Sequence, residues 1–167
     1  MRRPVVVLLT AALLAALSLP SSAVAARPAE PYLTRLTGTA RWVTDTGSSK
    51  SYYILEGTLY ARNVNPRQDT HCVTVTYPDG TRYADSGGAF PRADRGAEVS
   101  VGLWLGEIPL TASSVTVTAQ MMRIGSRGCC TPVGPQRVFS SPLPTPPAPP
   151  PATSQPIVVF DVMFAAP

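Results

Sequence analysis

His71-Cys72 and Cys129-Cys130 bring together three thiols and the chain's single imidazole, the side chains best suited to bridge formation, metal binding or nucleophilic attack. Which chemistry a thiol follows depends first on its redox compartment. Arg2 and Arg3 precede an uncharged apolar run from Val5 to Leu19, Pro20 breaks it, and Ala23-Val24-Ala25 has the small-x-small pattern of a cleavage site. The run is short for a bilayer-spanning helix. Residues 1–25 therefore read as a Sec-type signal peptide, and the mature protein is expected to be secreted and extracellular. Three Cys in that setting read as one disulfide plus one spare thiol. The expected bridge joins Cys72 to Cys129 or Cys130; it would close a loop of roughly 60 residues, for which chain entropy sets a ceiling of about 4 kcal/mol. A vicinal Cys129–Cys130 bridge would constrain almost nothing. The spare thiol offers a route to a covalent homodimer. Cys72 alternates with Thr74 and Thr76, opposite Val73 and Val75, so the bridge is expected outside the core. No metal is expected, because neighbours on a strand such as His71 and Cys72 point to opposite faces.

Asp85-Ser86-Gly87-Gly88 resembles the nucleophile segment of trypsin-like serine proteases, and His71-Cys72 resembles the end of their histidine motif. That resemblance would imply a double-barrel hydrolase with His71 and Ser86 in one triad. A triad is defined by geometry. Here 15 positions and a predicted hairpin separate His71 from Ser86, in a mature chain too short for two barrels. The Asp85–Gly88 segment accordingly reads as a turn-rich loop. Glu56, Glu98 and Glu107 fall on strand faces or ends, where solvation is their ordinary role. Phosphate loops, dinucleotide fingerprints and metal-helix motifs are absent from the sequence, and the expectation is a non-enzymatic protein without a cofactor.

Binding is left, and aromatic residues are its usual instruments. Trp42 lies in the apolar phase of its strand and reads as core. Trp104 lies in the polar phase with Glu98, Ser100 and Gly102, while Tyr52 and Tyr60 share a polar phase with Glu56 and Arg62. Trp104, Tyr52 and Tyr60 are therefore the candidate binding residues, flat surfaces for a sugar ring or a peptide. The expected partner is an extracellular glycan or protein. Two alternatives accompany it: a protease inhibitor presenting the Cys-containing Gly125–Pro135 loop, and a structural protein of the cell envelope. Losing Arg2 and Arg3 lowers the formal net charge from +4 to +2, and the remaining basic residues form no stripe, so nucleic acid is not an expected partner. No later apolar stretch is long enough for a membrane helix. Leu143-Pro144-Thr145 begins like a bacterial cell-wall sorting motif, but Pro146-Pro147 follow it and wall anchoring is not expected.

The elements that must position these residues are strands. Apolar and polar residues alternate in Arg35–Val43, Tyr52–Asn63, His71–Tyr77, Ala97–Leu105 and Ser114–Arg123, with shorter candidates at Thr81–Ala84, Gln136–Phe139 and Ile157–Phe164. Pro78-Asp79-Gly80 has the residues of a tight turn. With no helical periodicity in the mature chain, the pattern predicts an all-β fold. Its expected form is a β-sandwich of immunoglobulin-like general shape with six to eight short antiparallel strands. The markers of immunoglobulin domains themselves are absent: no Trp sits on the strand after Cys72, and Arg127 stands two positions before Cys129. The expected organisation is a sandwich domain over 26–140, a Pro-rich linker over 141–156 in polyproline-II form, and a tail over 157–167. That tail, rich in Ile, Val and Phe, is expected to return as an edge strand, since leaving it loose would expose an aggregation-prone segment.

Overall fold

The computed structural model describes residues 30–45, 47–48, 50–86, 88–94, 96–125, 130–146 and 154–167. The signal peptide expected at 1–25 lies outside them, as do Gly87, Cys129 and residues 147–153. The described residues form eight strands and no helix: β1 (Tyr32–Asp45), β2 (Lys50–Arg62), β3 (Asp69–Thr76), β4 (Arg82–Ser86), β5 (Glu98–Pro109), β6 (Ser114–Ile124), β7 (Cys130–Pro142) and β8 (Ile157–Met163). They make two antiparallel four-stranded sheets, ordered β5-β2-β1-β8 and β4-β3-β6-β7. The chain is all-β and sandwich-like.

Alternation decides which faces meet. Leu36, Ala40 and Trp42 of β1, Tyr53, Leu55, Leu59 and Ala61 of β2, and Leu103, Leu105 and Ile108 of β5 are buried against Val73 and Val75 of β3 and Val115, Val117, Ala119 and Met121 of β6. Burying these apolar side chains drives the two sheets together, at about 25 cal/mol per Å² of apolar surface removed from water. The turn at Pro78-Asp79-Gly80 closes with Gly80 N–H on Tyr77 O at 2.9 Å and Thr81 N–H on Asp79 Oδ1 at 2.9 Å. Gly80 takes a φ of +84°, a conformation that costs glycine little.

Two departures from plain alternation matter. In β5 the register slips so that Leu55 faces Gly106 while Glu56 faces Trp104, leaving Leu105 as a bulge. Trp104 and Leu105 keep the outward and inward phases of plain alternation, and beyond the slip the phase changes so that Glu107 is exposed and Ile108 buried. At Gly106, with φ +109°, a Cβ would sit 2.8 Å from Tyr77 Oη, so glycine is required by both conformation and space. Burial there pushes the Tyr77 hydroxyl pKa up to about 12. In β7 the strand begins at Cys130, well before the predicted Gln136, despite Pro132 and Pro135. Those prolines concealed it. β7 is an edge strand paired only with β6, and an edge strand tolerates the N–H that proline lacks.

The segment read as a linker begins inside the sandwich. β7 runs to Pro142, Leu143 is buried, and Tyr53 Oη–H donates to Pro144 O. At the far end, β8 pairs antiparallel with β1. Its Phe160 ring lies over Gly38, where a Cβ would come within 2.1 Å of the ring.

Candidate functional site

The outer face of the first sheet can be built row by row from the pairing of β1, β2 and β5. Arg35, Tyr60 and Ser100 stand side by side in one row, Thr37, Thr58 and Gly102 in the next, and Thr39, Glu56 and Trp104 in the third. Beyond them come Arg41, Ile54 and Glu107, then Val43, Tyr52 and Pro109. The second and third rows line a shallow groove of about 560 Å³. Three threonines and Glu56 supply its polar groups, and Trp104 stands at one side. Gly102 leaves a low point, since a Cβ there would meet nothing within 4 Å. Trp104 is 38% exposed, which is high for the largest apolar side chain. Its backbone N–H donates to Asp85 Oδ2 at 2.8 Å, so a β4 carboxylate from the other sheet fixes the wall of the groove.

The charges around the groove are mostly engaged. Arg35 forms a bidentate pair with Asp161 of β8, Nε to Oδ1 at 2.7 Å and Nη2 to Oδ2 at 2.5 Å. These mutual hydrogen bonds raise the Arg35 pKa and lower that of Asp161 from their ordinary values. The same guanidinium lies 5.6 Å from the centre of the Tyr60 ring. Arg62 and Glu98 pair at 3.8 Å. Glu56 is exposed and belongs to no ion pair among the described residues.

The three candidate binding residues are thus separated. Trp104 lines the groove, Tyr60 stands one row beyond it and carries Arg35, and Tyr52 belongs to a different depression of about 350 Å³ with Lys50, Glu107 and Pro109. Thr37, Thr39 and Thr58 escaped notice as site residues. Their polar phase was visible in the sequence, but the order β5-β2-β1 that aligns them with Trp104 was not.

His71, the base of the protease-like segments, is closed off. His71 is 1% exposed, its Nε2 is 3.5 Å from Asp85 Oδ1, and its ring meets Phe90 edge-on at 5.7 Å. Burial lowers the imidazole pKa, an effect that the hydrogen bond and charge of Asp85 partly oppose. Nδ1 has no partner. A base in this position reaches no substrate.

Among the described residues Cys72 and Cys130 form no bridge with each other, the first being half-buried and the second exposed. Cys72 faces Gln120 across β3–β6, and Cys130 faces Ile124 across β6–β7. At ordinary strand spacing, four positions along and two strands across put them about 13 Å by about 10 Å apart. A disulfide needs Cα atoms within about 7 Å, so the Cys72–Cys130 alternative is not formed. The Cys72–Cys129 and Cys129–Cys130 alternatives lie outside the described residues. No group of three His, Cys, Asp or Glu side chains suited to a metal occurs among the described residues. The suspected inhibitor loop is in part strand, since Cys130–Pro135 belongs to β7. No helix among the described residues is long and apolar enough to cross a membrane. No protein-family model matches the chain, and neither a curated protein nor a solved structure shows significant similarity to it.

Proposed function

We propose that this is a secreted, non-enzymatic domain that binds a glycan on the outer face of its first sheet. The observation that carries the reading is Trp104, exposed beside a groove floored by Gly102 and lined with the hydroxyls of Thr37, Thr39 and Thr58. An indole face stacks on the C–H face of a pyranose, and hydroxyls exchange hydrogen bonds with its ring substituents. A shallow, open groove suits a polymer better than a small molecule, which a deeper pocket would enclose. Export rests on the sequence of residues 1–25. The non-enzymatic reading is supported by the burial of the only imidazole. We also infer an immunoglobulin-like arrangement, in which β1-β2-β5 and β3-β6-β7 would be its A-B-E and C-F-G groups. β4 would then lie beside strand C, and β8 would be an addition outside strand A.

The test is retention of the mature protein on immobilised polysaccharides, with Trp104 fluorescence as a second readout. Trp104→Ala is expected to weaken binding about tenfold or more while leaving the thermal midpoint nearly unchanged, because Trp104 lies outside the core cluster. Tyr52→Ala, in the separate depression, is expected to have no effect. Equal retention of wild type and Trp104→Ala would refute the reading.

A further inference from the structure

Glu56 stands directly opposite Trp104 in the β2–β5 ladder and is the one charged residue lining the groove. Directly opposed side chains have Cβ atoms about 5 Å apart, so a carboxylate and an indole ring border the same small volume. Glu56 belongs to no ion pair among the described residues: Arg35 is held by Asp161 and Tyr60, Arg62 by Glu98, and Arg41 stands in the next row opposite Ile54 without an ion pair to Glu56. The hydroxyls beside it belong to Thr39 and Thr58 and carry no charge.

We propose that the groove selects a glycan bearing free amines, with a sugar ammonium group seated between the Glu56 carboxylate and the Trp104 ring. This rests on the glycan reading above and names the ligand class. An ammonium over an indole gains cation–π attraction, and its N–H groups donate charge-assisted hydrogen bonds to the carboxylate. A hydroxyl at the same ring position forms only a neutral-donor hydrogen bond. An N-acetyl group adds bulk and removes the charge. The site therefore discriminates by charge at one ring substituent, and stacking supplies the part of the affinity common to all three sugars.

The test uses three β-linked hexasaccharides of glucosamine, N-acetylglucosamine and glucose, titrated into the mature protein near neutral pH and followed by Trp fluorescence and calorimetry. The expected order places glucosamine first by roughly tenfold. Glu56→Gln is expected to remove that preference, bringing glucosamine down to the affinity of glucose, and Trp104→Ala to weaken all three. Thermal melting checks that the exposed Glu56 can be replaced without unfolding the domain. If the three sugars bind equally, or if Glu56→Gln keeps the glucosamine preference, the amine assignment falls and the glycan reading stands. If none of the three binds, and no other polysaccharide is retained, both fall.

Discussion

At the scale of single residues, His71 ties the stability of the fold to pH. Its folded pKa lies below the ordinary imidazole value because burial disfavours the imidazolium. The unfolded chain therefore binds the proton more readily than the folded one. Its contribution is intact above about pH 6.5 and is lost as pH falls from there towards the folded pKa. The thermal midpoint is expected to drop between about pH 7 and about pH 5, and the dependence to flatten in His71→Gln. Parallel pH curves for the two proteins would refute this. Asp69, also buried, accepts Arg123 Nε–H at 3.0 Å and Asn65 N–H at 2.8 Å and holds the β2–β3 crossing in place. Nothing in the sequence around Asp69 announces that role, because its guanidinium partner lies 54 positions away.

At the scale of elements, β8 and β1 fit through one matched pair. Gly38→Ala places a methyl against the Phe160 ring and is expected to cost about 1–3 kcal/mol by overpacking. Phe160→Ala leaves a cavity in its place and is expected to cost about 3–5 kcal/mol. Combined, the methyl enters vacated space, so the double variant should be less destabilised than the sum, a coupling that denaturant midpoints measure directly. Additivity would mean that the two do not meet. Elements of this kind differ in how openly the sequence states them. β6 is readable because Val115, Val117, Ala119 and Met121 recur at every second position. β7 is obscured where Pro132, Gly134 and Pro135 interrupt it, and only its edge position makes them tolerable. The wall of the groove was legible in the polar phase of Trp104. Its floor was not, because it needs β1 and β5 on either side of β2, and alternation does not encode which strands become neighbours.

At the scale of the whole molecule, most contacts join distant parts of the chain. Strands that pair, such as β1 with β8 and β3 with β6, are far apart in sequence. Folding of such a topology is expected in the millisecond-to-second range, measurable by stopped-flow dilution from denaturant; microsecond refolding would contradict it. The pairing of β1 with β8 has a further consequence for the order of events along the chain. Arg35 and Asp161, which clasp the two strands, lie 126 positions apart. A chain emerging amino end first from a ribosome or a translocation pore presents β1 long before its outer neighbour exists. Until Phe160 arrives, the edge beside Gly38 is uncovered and the sandwich unfinished. Chains stopped short of Ile157 should therefore stay sensitive to protease while the full chain resists it, and the domain locks only when its last strand has cleared the exit.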